Sequence, residues 1–326
     1  MKAVNQVVTK DYAIYQGDSC ELIKGIPDES VDFGIHSPPF SGLYKFSNSD
    51  RDISNSEGDE FWEHYGFLIR EMLRITKPGR EHSVHVMQLP TSKTRDGFIG
   101  IRDFRGETVR AYVTAGWIFH SEVCISKDPV IAQQRTKSIR LLHKQILKDS
   151  TISGMGLADY IVTFRKPGDN FNPVAGHFDE WIGDESLDIS MEAYNRDTKR
   201  RDATGLRSWN YETWKSILVW KRYAAPIWTD IRQTRTLQYR DGRDEKDEQH
   251  ISPLQLDVIE RCLDLWSNPG ETVFTPFLGI GSEVYAAVEM GRKGIGIELK
   301  PSYFAQAVKN LEAARKRNID LFPEAS

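Results

Sequence analysis

The segment 271–299, ETVFTPFLGIGSEVYAAVEMGRKGIGIEL, constrains this chain more than any other. It reads as a strand, a glycine turn, a helix and a second strand. Gly279 and Gly281 let the backbone bend sharply and approach a ligand where a side chain would collide. Glu298 ends the second strand, 19 residues beyond Gly279. At that distance an acidic group in a nucleotide-binding α/β fold accepts both hydroxyls of a ribose. The turn lacks the full G-x-G-x-x-G pattern, because position 284 is Val. A nucleoside ligand without a pyrophosphate fits better than a dinucleotide.

The same rhythm runs on both sides of a less regular centre. Strands are predicted over 12–18, 31–36, 83–89 and 117–125, with helices around Leu22, Ile23 and Ile26, over 61–76 and over 104–116. The second of these helices rests on the spacing of Phe61, Tyr65, Leu68, Met72 and Ile75. From residue 253 the pattern is helix 253–267, strand 272–275, helix 282–291, strand 294–299 and helix 302–316. Alternation of this kind predicts a mostly parallel sheet covered on both faces. Residues 41–59, rich in Ser, Asn, Asp and Gly, read as a mobile loop. Between 128 and 245 the rhythm fails. That stretch offers a basic helix over 135–148, a strand over 159–167, little periodicity over 168–210 and a charged loop over 240–250. Three segments follow: 1–127, an irregular 128–245, and 246–326.

The chain has 326 residues, 39% hydrophobic and 28% charged, enough for one large α/β domain with an insertion or for two modest domains. No apolar run approaches the roughly 20 residues that span a bilayer, so no membrane is expected. The opening MKAVNQVVTKDYAIYQGD has no long apolar stretch, and no signal peptide is expected. Cys20, Cys124 and Cys262 are too scattered for a zinc knuckle or a disulfide framework, which suits a reducing, cytosolic setting and no metal. A net charge of −4 does not advertise a nucleic-acid partner, although a whole-chain sum hides local basic faces.

Ser37-Pro38-Pro39-Phe40 follows a predicted strand, where an open α/β sheet places its ligand crevice. Such a corner suits a specific chemistry. An exocyclic amino group on a base is a poor nucleophile, because its lone pair is delocalised into the ring. Ser37 Oγ and the Pro38 carbonyl, set against its two N–H bonds, would free that lone pair. The prolines hold the corner rigid, and Phe40 offers a flat face for an extruded base. The alternative is a rigid loop with Phe40 in the core.

Together these residues resemble the DNA amino-methyltransferases of the permuted group, in which the catalytic corner precedes the cofactor turn. The likeness runs through Gly17-Asp18 with PDESVDFGIHSPPF, LRITKPGR with SVHVMQL, HISPLQLDVIERCLDLWSNPGETVFTPFLGIGSE, and GRKGIGIEL. It is most like small stand-alone enzymes of phages and prophages. The resemblance implies a Rossmann-like α/β sheet that binds S-adenosylmethionine and carries a central target-recognition insertion. Residues 1–127 and 246–326 would form the catalytic and cofactor-binding halves. Phe277, Gly279, Gly281 and Ser282 would wrap the cofactor, Glu298 its ribose and Asp18 its adenine amino group. Ser252, Pro253 and Thr275 would line the methionine side. His36, immediately before the corner, either orients Ser37 or contacts the cofactor, the alternative being a strand-end histidine satisfied by local backbone. Thr275 departs from the family, which usually has Asp there. That leaves open a DNA-binding protein of this fold with little turnover. Ser rather than Asp in the corner favours N4 of cytosine, with N6 of adenine as the alternative.

Double-stranded DNA is the expected partner, in a bacterial or phage-infected cell, and a homodimer is left open. Arg135, Lys137, Arg140, Lys144 and Lys148 are candidates for a phosphate-facing helix, with Lys199, Arg200, Arg201 and Arg207 a second cluster. Trp209, Trp214, Trp220 and Trp228 would brace this region or pack in its core. The cysteines look like core residues, which disfavours a covalent thiolate mechanism. His82, His85 and His120 read as structural.

Overall fold

A computed structural model describes residues 3–40, 58–130, 142–203, 209–238 and 253–321. Its strands are β1 (Asn5–Val8), β2 (Tyr12–Gln16), β3 (Phe33–His36), β4 (Glu81–Met87), β5 (Leu89–Pro90), β6 (Ile101–Arg102), β7 (Ile118–Ile125), β8 (Asp159–Arg165), β9 (Ile227–Trp228), β10 (Thr272–Thr275) and β11 (Lys293–Glu298). β5 and β6 pair only with each other. The other nine form one sheet in the order β1-β2-β11-β10-β3-β4-β8-β7-β9. The neighbours from β2 to β4 are all parallel, as are β7 and β9, whereas β1 and β8 run against their neighbours. The expected mostly parallel sheet is therefore present.

Each strand feeds both layers because successive side chains point to opposite faces. Phe33, Ile35 and Val273 face one core, with the helices Leu256–Trp266, Ser282–Glu289 and Pro301–Leu321. Val84, Val86, Phe274 and Ile297 face the other, with Gly58–Ile75 and Phe104–Thr114. Phe61, Tyr65, Leu68, Met72 and Ile75 are all fully buried, as their spacing predicts. Gly34 is required by its neighbour: a Cβ there would lie 1.9 Å from His82 Nδ1.

The centre of the chain departs from expectation. The span 128–245 is not a self-contained insertion, because β8 lies in the middle of the sheet between β4 and β7, and β9 extends its edge. The helix Met191–Ala203 lies within the stretch 168–210, where little periodicity is visible, and the helix Tyr211–Tyr223 follows it. A small satellite core of Ile182, Val219 and Tyr223 joins this region to Leu265 and Met290. Its anchor is Arg261, fully buried, whose guanidinium lies 4.7 Å, 5.2 Å and 5.0 Å from the rings of Trp181, Tyr223 and Trp228. Trp214 and Trp228 are buried, whereas Trp209 and Trp220 are exposed.

Candidate active site

The carboxyl ends of β2, β11, β10, β3 and β4 share one edge of the sheet. Between β10 and β3 the connections diverge, β3 running on to β4 and β10 to β11 on the opposite side. An open α/β sheet forms its crevice at such a switch point. Both sequence motifs leave the sheet here: Ser37–Phe40 follows β3, and the glycine bend follows β10. Their bases touch, the His36 and Phe277 rings lying 5.6 Å apart.

The side that carries the glycine bend is tied together by hydrogen bonds. Gly279 N–H donates to Glu298 Oε2 at 2.7 Å, and Lys300 N–H donates to Oε1 at 2.8 Å. A carboxylate oxygen so held still has lone-pair capacity for a ligand hydroxyl. Gly17 N–H donates to the Glu298 carbonyl, and Ser19 Oγ donates to the Pro276 carbonyl at 2.5 Å. Asp18 is thereby drawn to the same edge, where its Oδ1 caps the short helix after it. Gly279 has φ +54° and open space where a Cβ would stand. Gly281, at φ +95°, begins the helix Ser282–Glu289. A glycine bend facing open space, with an anchored carboxylate beside it, fits a ribose-bearing cofactor. Thr275 is fully buried, and its Oγ1 has no hydrogen-bond partner among the described residues. Ser282 is also buried, and Pro253 is half-buried. Ser252 lies outside the described residues.

On the other side of the crevice, Ser37 and Phe40 are half-buried and the two prolines buried. Ser37 Oγ lies 2.9 Å from His85 Nδ1, and His85 Nε2 lies 2.7 Å from Asp159 Oδ2. Lys127 Nζ pairs with the same Asp159 oxygen. The Phe40 ring stands edge-on to His85 at 6.4 Å and to Phe104 at 6.0 Å. His85, read from the sequence as structural, thus contacts the corner directly. Its partner Asp159 is 74 positions away and opens β8 at its ligand-bearing end, whereas His85 lies inside β4, both strands being legible in the sequence. A polar residue at such an end was the available signal.

His36 takes a different place from the one expected. Its ring is fully buried, with Nδ1 2.8 Å from His82 Nε2 and Nε2 2.9 Å from Tyr65 OH. Tyr65 OH continues to Tyr112 OH at 3.1 Å. Both His36 nitrogens are committed to this network beneath the corner, so the ring faces the core and not the crevice. Burial, with His82 adjacent, holds the His36 imidazole well below its ordinary range, and burial brings His82 down to about 3.

The thiols suit no nucleophilic role. Burial pushes Cys20 up to about 12, with Asp18 and Glu21 adding to the effect, and it raises Cys124 and Cys262 as well. Among the described residues no group of three His, Cys, Asp or Glu is placed to hold a metal. No described helix is long and apolar enough to cross a membrane. Of the basic candidates, Lys144, Lys148 and Lys199 are exposed. Arg200 and Arg201 fall in the helix Met191–Ala203. Arg135, Lys137, Arg140 and Arg207 lie outside the described residues, as do 41–57 and the charged run 240–250.

Fold and crevice together have the form of an α/β enzyme with a ligand crevice at the carboxyl edge of its sheet. The chain belongs to the N6/N4 methyltransferase family, described as DNA methylase, whose model matches residues 31–309. It is similar to the Type II methyltransferase M.BglI of Bacillus subtilis, 20% identical over 94% of this chain and 88% of that protein. Among solved structures, a Thermus thermophilus protein described as a putative DNA modification methylase, complexed with S-adenosyl-L-methionine, matches with TM-score 0.59. That match has 19% identity and covers 93% of this chain and 95% of the other. The PvuII DNA methyltransferase, described as cytosine-N4-specific, matches with TM-score 0.55 and 15% identity, over 97% of this chain and 94% of the other. The protein is thus an S-adenosylmethionine-dependent DNA amino-methyltransferase.

Proposed function

We propose that the crevice between β10 and β3 is where cofactor and target base meet, and that the target is N4 of a cytosine extruded from duplex DNA. One observation carries this reading: the Ser37–Phe40 corner and the Gly279–Glu298 pair leave the same ends of neighbouring strands. Phe277, Gly279, Gly281 and Ser282 wrap the cofactor, Glu298 takes its ribose hydroxyls and Asp18 its adenine amino group. Ser252, Pro253 and Thr275 line the methionine side. S-adenosylmethionine supplies an electrophilic methyl group when bound.

The chain's own residues prepare the nucleophile. Ser37 Oγ and the Pro38 carbonyl accept the two N–H bonds of the base amino group and draw its lone pair out of the ring. Pro38 and Pro39 keep both acceptors fixed, and Phe40 stacks on the base. Ser in the corner favours cytosine, and the fold shared with a cytosine-N4-specific enzyme supports it. Adenine N6 needs the same two acceptors, so that alternative changes the base and leaves the corner's role intact. The part of 128–245 outside the sheet reads the DNA sequence. Lys144, Lys199, Arg200 and Arg201 face phosphate there, together with Arg135, Lys137, Arg140 and Arg207. The setting is the cytoplasm of a bacterial or phage-infected cell, and the enzyme works as a monomer or a homodimer.

The test is to express the chain in a host without endogenous DNA methylation and sequence its DNA with detection of modified bases. N4-methylcytosine at one short sequence is expected, and Ser37→Ala is expected to erase it while S-adenosylmethionine still binds. N6-methyladenine would overturn the cytosine assignment, and an unmodified genome the whole reading.

A further inference from the structure

The bonds from Ser37 to His85 and from His85 to Asp159 define a chain of proton-carrying groups behind the corner. Its members come from three neighbouring elements of the sheet: the residue after β3, the middle of β4 and the first residue of β8. His85 is 8% exposed and Asp159 1%, so bulk water does not compete for these bonds. Among the described residues, the charged groups paired around His85 are Asp159 from β8 and, through the same carboxylate oxygen, Lys127 following β7. Ser37 faces the ring from β3, and the uncharged Phe40 ring stands beside it.

The charge on Asp159 decides the direction of the chain. Burial alone would push its carboxyl up, but His85 and Lys127 outweigh burial and bring it to about 2. The carboxylate is therefore ionised and only accepts hydrogen bonds. His85 Nε2 must carry the proton of that bond, which leaves Nδ1 as an acceptor. The Ser37 hydroxyl then donates to Nδ1, and its oxygen lone pairs are turned outward. A serine–histidine–aspartate array orients its hydroxyl by the same logic.

We propose that His85 and Asp159 are positioning residues that act through Ser37, fixing its oxygen as an acceptor and receiving the proton lost by the target amino group. The inference rests on the reading that Ser37 meets that amino group. The nitrogen gains a bond to the methyl carbon, and the electron pair of the broken carbon–sulfur bond stays on sulfur. The nitrogen then releases one proton to Ser37 Oγ while the Ser37 proton passes to His85 Nδ1. Ser37 ends unchanged, and the imidazolium is paired with Asp159. Return of that proton to solvent resets the chain.

The experiment compares wild type, Ser37→Ala, His85→Gln and Asp159→Asn as full chains. Readouts are single-turnover methylation of target DNA across pH and S-adenosylmethionine affinity by calorimetry. Each variant is expected to lose roughly 10²–10⁴-fold in rate, the usual span for removing acid–base assistance, with cofactor affinity unchanged. Wild type is expected to slow at acid pH with a one-proton slope, because a protonated Nδ1 cannot accept, and His85→Gln is expected to lack that limb. If Ser37→Ala abolishes the rate while His85→Gln keeps both rate and acid limb, the relay is overturned and the corner stands. If Ser37→Ala keeps the rate, the corner reading fails and the relay with it. Nitrogen NMR of the wild-type histidines gives a readout independent of activity and of any variant's folding. His85 is expected as the Nε2–H tautomer, and an Nδ1–H tautomer overturns the relay.

Discussion

The backbone N–H of Gly279 donates to Glu298 Oε2 at 2.7 Å, joining the bend after β10 to the end of β11. A side chain at 279 would meet nothing within 4 Å in the free protein. The only cost to the fold when Gly279 becomes Ala is therefore added backbone strain, about 1–2 kcal/mol for a non-glycine residue in the left-handed region. The space that the methyl group fills is the space assigned to the cofactor. Gly279→Ala is expected to lower Tm by a few degrees while weakening S-adenosylmethionine binding tenfold or more by calorimetry. Glu298→Ala is expected to weaken it at least as much. Unchanged affinity in both variants would remove the bend from the cofactor site.

Arg261 offers a test of how the central region is held. Its Nε donates to the Ile182 carbonyl at 2.7 Å, Nη1 lies 2.9 Å from Asp230 Oδ1, and three aromatic rings surround the guanidinium. Removing one partner of a buried ion pair typically costs on the order of 3–5 kcal/mol. Arg261→Met keeps the volume but takes away the nearer cation of Asp230, leaving Arg222 at 3.8 Å. Arg261→Lys keeps the charge but loses the flat face that stacks on Trp181. Urea unfolding is expected to show a large loss for Met and a smaller, clear loss for Lys. Stability equal to wild type in Arg261→Lys would mean that the ring contacts hold nothing.

That box also marks where the sequence stops being legible. The helix 253–267 is evident from its apolar stripe, yet nothing local says that Arg261 points into three rings, the nearest 33 positions away. β10 and β11 are readable because each is followed by a helix with clear spacing. β8 is legible as a strand, but its place in the main sheet is not, because its partners β4 and β7 lie earlier in the chain and run antiparallel to it. At the site, Ser37, Gly279 and Glu298 announce themselves through short-range patterns. His85 and Asp159 meet only across a strand pairing. His36 turns inward because β4 and the helix Gly58–Ile75 supply partners for both its nitrogens.

The buried pair His36 and His82 predicts acid sensitivity. Both imidazoles are held below their ordinary value of 6.5, His82 at about 3. Below pH 6.5 the unfolded chain binds protons that the folded chain refuses. Their contribution to stability is therefore full above pH 6.5 and is lost as pH falls toward 3. Each such group adds a slope of up to about 1.4 kcal/mol per pH unit. His82→Gln, which retains a donor for His36, is expected to flatten the stability–pH curve over that range in chemical unfolding experiments. A slope identical to wild type would show that these rings do not set the acid limit.

Glu283 predicts the opposite trend. It occupies the first turn of the helix Ser282–Glu289 and is 5% exposed. Burial pushes its carboxyl up to about 8, against the pull of its own backbone N–H, and the charge of Glu298 adds to the rise. The folded chain keeps a proton that the unfolded chain releases near pH 4.5. Stability from this group is thus full below pH 4.5 and is lost as pH rises toward 8. Glu283→Gln removes the titration, so it is expected to match wild type near pH 4.5 and to exceed it by on the order of 3 kcal/mol at pH 7. Below pH 6.5 the two histidines together outweigh Glu283, and above it Glu283 acts alone, which sets the stability maximum from these groups near pH 6.5. Glu283→Gln should move that maximum toward higher pH and His82→Gln toward lower pH. If thermal scans from pH 3 to 9 show Glu283→Gln tracking wild type throughout, the carboxylate beside the glycine bend is ionised in the folded protein.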